Sequence, residues 1–117
     1  MGYKMENGRW ADTDDLTLAD ALAVSGDTDG DSVELGDCGV ARLTLTVAAI
    51  GAGTTLTVYI ETSADDTTFR AVSNFTAIAA PGAEILSFSG LDRFVRARYS
   101  FAGGTTTATV SISGEAV

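Results

Sequence analysis

The chain has 117 residues, the size of one ordinary domain, and is 45% hydrophobic with one Pro and one Cys. Its 16 acidic against 7 basic side chains give a net charge of −9, which repels phosphate backbones and anionic membrane surfaces. That balance argues against nucleic acid and membrane as partners, and the absence of His removes the Ser-His-Asp triad and the commonest metal ligand.

Cys38 has no second cysteine to bridge to and no His to activate it, so it reads as a small, inert residue beside a Gly turn. The opening MGYKMENGRWADTDD lacks the apolar core of a secretory signal and the Ser or Thr of a myristoylation site. Apolar runs fall far short of the ~20 residues a spanning helix needs.

Residues 1–15 show neither helical nor strand periodicity. They are read as an extended N-terminal arm ahead of a domain at 16–117. Tyr3 and Trp10 are large aromatics in this polar leader, costly to leave in water and suited to gripping a neighbouring subunit. Residues 12–37 then hold nine acids and no Lys or Arg.

Within that acidic third, Leu18 to Val24 fits either a short strand or one helical turn, and Ser32 to Leu35 fits a short strand. Period-two alternation becomes clear at Val40 to Ala48, with Leu43, Leu45 and Val47 on one face and Arg42, Thr44 and Thr46 on the other. Gly51-Ala-Gly53 makes a turn. Thr55 to Thr62 alternates again, with Leu56, Val58 and Ile60 inward and Thr57, Tyr59 and Glu61 outward. Thr67 to Phe75 and Ala83 to Phe88 are further strands, separated by Pro81-Gly82. In Leu91 to Phe101, Val95, Ala97, Tyr99 and Phe101 share one face, and Phe94, Arg96 and Arg98 the other. Gly103-Gly104 reads as a hairpin turn into Thr105 to Ser113.

The chain is therefore expected to be all-β: an antiparallel β-sandwich or jelly roll of about seven or eight strands. No amphipathic helix, P-loop, GxGxxG, zinc spacing or nucleophile elbow is present, so nothing in the sequence points to an enzyme.

Two constellations could carry function. Asp27, Asp29 and Asp31 alternate along a tight turn, as oxygen ligands around Ca²⁺ would. Gly30 falls early for an EF-hand loop, Cys38 stands where the bidentate Glu belongs, and no helices flank the turn, so a solvated acidic turn is the alternative. Arg96 and Arg98 project beside Phe94 from one strand face. They could read carboxylates on another subunit, or pair across strands with Glu61. Tyr3, Trp10, Phe94, Arg96 and Arg98 are the candidate interface residues.

Four stretches carry a resemblance: Leu56-Thr-Val-Tyr-Ile-Glu-Thr-Ser63, Asp65-Asp-Thr-Thr-Phe69, Phe75-Thr-Ala-Ile78 and Gly90-Leu-Asp-Arg-Phe-Val-Arg-Ala-Arg-Tyr99. On them, residues 40–117 resemble small β-sandwich structural proteins of tailed bacteriophages, among them capsid-decoration and head proteins. The resemblance implies a non-enzymatic virion protein on the capsid exterior, made in the bacterial host cytoplasm. Its partners would be the major capsid protein or other virion subunits, and it would form a homo-oligomer, a trimer being the expected state. A head–tail joining or tail protein belongs to the same class. Two pieces, the turn from Ser63 through Asp65 to Phe69 and the strand Arg93-Phe-Val-Arg96, are also similar to discoidin-like carbohydrate-binding sandwiches, which implies a lectin-like adhesion module as the alternative. The sole Trp lies in the leader, away from the loop ends where sugar platforms usually sit.

Overall fold

A computed structural model describes residues 5–6, 9–10, 15–35 and 39–116, with side chains for 16–35 and 39–115. Tyr3 and most of the proposed arm lie outside the described residues. Within the arm, β1 (Met5–Glu6) and β2 (Arg9–Trp10) form a small antiparallel ladder that pairs Met5 with Trp10.

Nine further strands follow: β3 (Asp15–Ser25), β4 (Thr28–Asp29), β5 (Val33–Glu34), β6 (Ala41–Ile50), β7 (Thr54–Ser63), β8 (Arg70–Asn74), β9 (Gly82–Phe88), β10 (Phe94–Gly103) and β11 (Thr107–Ala116). They build two antiparallel sheets. Sheet one has the order β3-β11-β6-β9, and sheet two β4-β10-β7-β8, with β5 also on β10. The fold is all-β, as the alternation predicts. When β4 and β5 count as one interrupted strand, the eight strand positions run 1-8-3-6 in one sheet and 2-7-4-5 in the other. That is the order of a jelly roll, the two-Greek-key form of the sandwich.

Among these eight strand positions, only the step from β7 to β8 stays within one sheet; every other connection crosses between sheets. Gly103-Gly104 is therefore not the hairpin turn expected from its sequence. It carries the chain from β10 in sheet two to β11 in sheet one. The crossing at Gly51–Gly53, from β6 to β7, packs directly against it. The Gly51 N–H donates to the Thr107 carbonyl at 2.8 Å and the Thr105 N–H to the Ala52 carbonyl at 3.2 Å, while the Thr54 hydroxyl donates to the Thr105 carbonyl. A Cβ at Gly51 would collide with the Thr105 carbonyl oxygen, and one at Gly104 with that of Ala52. Glycine is required here by the approach of two backbones.

The two inner faces supply the core. Leu43, Leu45 and Val47 of β6 and Val110 and Ile112 of β11 face Leu56, Val58 and Ile60 of β7 and Val95 and Tyr99 of β10, all buried. Each such aliphatic side chain contributes about 1.5–3 kcal/mol relative to exposure. Phe75 and Phe88 meet edge to face, ring centroids 5.3 Å apart. The Tyr99 hydroxyl has no hydrogen-bond partner among the described residues, and burial pushes its pKa up to about 12.

The ambiguous stretch Leu18 to Val24 is strand, but an irregular one. Leu16, Leu18, Ala19 and Val24 are buried while Leu22 is exposed. Two register shifts against β11 break the alternation, and Ala21 adopts φ 47° with its N–H on the Ser111 hydroxyl at 3.0 Å. A bulged strand loses the period-two signal by which strands are read.

The packed crossings give a test of the fold. Gly104→Ala is expected to lower stability by about 2 kcal/mol or more, since backbone or loop must shift to admit the methyl. Chemical denaturation measures this, and wild-type stability would show that the two crossings are not in contact.

Candidate functional site: the arginine face of sheet two

Alternation on β10 buries Val95, Ala97 and Tyr99 and turns Phe94, Arg96 and Arg98 to the outer face of sheet two. β7 runs antiparallel beside it, so Arg96 sits opposite Glu61 and Arg98 opposite Tyr59. On the other flank, Asp29 of β4 lies opposite Arg98, and Glu34 of β5 opposite Phe94. Basic, acidic and aromatic side chains thus meet on one surface because of strand register.

Glu61 is the centre of this surface. It is only 8% exposed although it points outward. Its Oε1 accepts from the Arg96 Nε at 2.9 Å and its Oε2 from the Arg98 Nε at 3.0 Å. A carboxylate so well covered is costly unless both oxygens have charged donors, and here both do. Arg96 also approaches Asp29, with Nη2 3.6 Å from Oδ2. The cross-strand pairing with Glu61, one of the two alternatives in the sequence, is what these arginines do.

Each guanidinium also lies over an aromatic ring. The Arg96 Cζ is 4.0 Å from the Phe69 centroid, the Arg98 Cζ 4.2 Å from that of Tyr59, and the Arg93 Cζ 5.6 Å from that of Phe94. Such contacts contribute about 0.5–2 kcal/mol each, according to exposure. Arg93 is further held by Glu34, Nε to Oε2 2.6 Å. The arginines are therefore fixed in orientation before any partner arrives, while keeping one side toward solvent.

Phe69 reaches Arg96 because the preceding turn is tightly made. The Asp65 Oδ1 accepts from the Thr68 N–H at 3.0 Å, the Ser63 hydroxyl at 2.8 Å and the Thr67 N–H at 2.9 Å. These hydrogen bonds, that of Thr68 foremost, hold the Asp65 pKa down to about 2. Phe69 and Tyr59 were not among the interface residues expected from sequence. Tyr59 was legible as an outward residue of β7, but nothing local marks a turn residue such as Phe69 as the platform for a distant arginine.

The acidic alternation lies along β4 and its flanking turns, beside β10. The Asp27 Oδ1 accepts the Phe101 N–H at 2.7 Å, Asp29 faces Arg96, and the Gly30 N–H between Asp29 and Asp31 donates to the Ala97 carbonyl at 2.7 Å. Among the described residues, no three His, Cys, Asp or Glu side chains gather to hold a metal ion. Of the three acids read as possible Ca²⁺ ligands, Asp27 and Asp29 thus have partners on β10. Trp10 falls in β2, but its side chain, like Tyr3, lies outside the described residues.

A concavity of about 290 Å³ opens at the end of sheet one, lined by Ala23, Ser25, Ile50, Gly51, Thr107 and Thr109 among others. It is lined by no carboxylate, amine or guanidinium. No family model matches the chain, and no curated protein matches it either.

The Asp65 turn carries a pH signature. Its carboxyl is depressed from 3.8 to about 2, so its contribution is fully present above about pH 4 and is lost as pH falls through 2. Asp65→Asn is expected to lower the melting temperature at neutral pH and to remove part of the acid destabilisation between pH 4 and 2. A melting profile parallel to wild type across that window would contradict the turn's role.

Proposed function

We propose that this chain is a non-enzymatic structural protein of a tailed-phage virion that decorates or stabilises the capsid, and that it docks through the arginine face of sheet two. The observation that carries the reading is the surface built on Glu61. Arg96 and Arg98 are clamped by one buried carboxylate and stacked on Phe69 and Tyr59. Arg and aromatic side chains are the residues that dominate the energy of protein–protein contacts, and pre-ordered side chains reduce the entropy lost on docking. Hydrogen-bond acceptors on the major capsid protein, or on another virion subunit, would complement the remaining guanidinium N–H groups.

The jelly-roll order supports the reading by analogy, as a scaffold used by viral capsid proteins and also by lectins. The virion reading ranks above the carbohydrate-binding one because Tyr59 and Phe69 each have a guanidinium over one ring face, where a sugar platform needs the ring bare.

The test uses particles purified from the phage or induced prophage that encodes the chain. The chain should co-purify with the shell at fixed stoichiometry. Shells lacking it should bind added wild-type protein about tenfold or more tightly than the Arg98→Glu variant. Absence from the particles would refute the virion assignment, and equal binding by the variant would refute the docking face.

A further inference from the structure

The jelly roll has four exposed sheet edges, and three of them carry features that block pairing with another strand. β3 is broken by two register shifts, with Asp20 beside the left-handed Ala21. β4 and β5 are two-residue pieces bearing Asp29 and Glu34. β8 has only five residues, begins at Arg70, and has a register shift against β7.

β9 is neither broken nor shifted, and it carries a single charge. Its seven residues pair with β6 without a single shift, from Phe88 opposite Ala41 to Gly82 opposite Val47. Its one charged side chain, Glu84, is already engaged by the Thr76 N–H at 2.7 Å and the Thr76 hydroxyl at 2.8 Å. Ile85, at 58% exposed, is the more exposed of the two large hydrophobic side chains found at the surface among the described residues. No backbone of another described segment pairs with its far side.

We propose that a second copy of this chain pairs with β9, antiparallel and about a two-fold axis at Ile85. Two four-stranded sheets would then join as one continuous sheet of eight. Self-pairing is favoured by the residues themselves. Ile85 is the midpoint of Gly82–Phe88, so pairing along the whole strand sets Ile85 against Ile85, Ala83 against Ser87 and Glu84 against Leu86. No like charges oppose one another in this register. Two chains of net charge −9 repel each other over most approaches, yet the outward residues of β9 and β6 beside this edge include no acid. An isologous contact of this kind closes after two copies, in place of the three-fold ring expected from sequence. It lies on sheet one and is independent of the arginine face on sheet two.

A strand pair of this length buries less than the ~1,200 Å² of a standard stable complex, so the affinity is weak and gains from crowding of copies on one surface. Sedimentation equilibrium of the full chain should show mass rising from 12.0 kDa toward twice that value. The rise is expected between about 10 μM and about 1 mM. Ile85→Lys should remain monomeric throughout, while Leu22→Lys, on the bulged edge, should still dimerise. In a Cys38→Ser background, Ile85→Cys should cross-link to itself under mild oxidation. Ala83→Cys should cross-link only when mixed with Ser87→Cys. A wild-type monomer at the highest concentration, a dimer unaffected by Ile85→Lys, or β9 amides fully protected from exchange in the monomer would each overturn the proposal. The last would show that the edge is already covered within one chain.

Discussion

The outer face of sheet two depends on one buried carboxylate. Glu61 points away from the core, yet it is almost wholly covered, because two arginines from the neighbouring strand close over it. Removing water from a carboxylate costs several kcal/mol, and only paired charged donors offset that cost. The carboxylate in turn settles where the guanidiniums lie, and their positions select Phe69 and Tyr59 as stacking partners. Without Glu61, Arg96 and Arg98 would lose the carboxylate that orients both, while Arg93 would keep Glu34. With it, a strand of an acidic protein presents a rigid, nearly neutral surface of planar groups.

The topology explains why such a surface can coexist with a very different one. Nearly every connection crosses between sheets, so each sheet is assembled from strands distant in sequence and the two outer faces are independent in composition. Sheet two carries the arginines. The β6–β9 side of sheet one carries Thr44, Thr46, Ala83 and Ile85, with Arg42 as its charge. Asp20, Asp27, Asp29, Asp31 and Glu34 line the β3–β5 flank, where Asp29 and Glu34 meet Arg96 and Arg93.

Much of the fold was legible in the sequence, for a definite reason. Where a strand is regular and half-buried, as in β6, β7 and β10, alternation assigned each side chain to its face. Where bulges intervene, as in β3, two apolar residues in succession point inward and the pattern dissolves. The Gly103-Gly104 crossing was misread because a Gly pair between strands signals a sharp reversal without saying which sheet receives the chain. In the acidic alternation, register gave Asp27 and Asp29 separate partners on β10, which spacing alone does not show. Arg96, Arg98 and Phe94 were found from alternation alone. Phe69 could not be, since its place depends on the Asp65 turn and on an arginine 27 residues away in the chain.

The central proposal is that this protein works through preformed sheet surfaces. Hydroxyl-radical footprinting of the free chain against the chain bound to the proposed virion shell tests this most directly, because aromatic side chains report their own solvent contact. Oxidation of Tyr59, Phe69 and Phe94 should fall severalfold on binding, with the crossings at 51–53 and 103–106 unchanged. Protection confined to those crossings, with the three aromatics as reactive as in the free protein, would contradict the account.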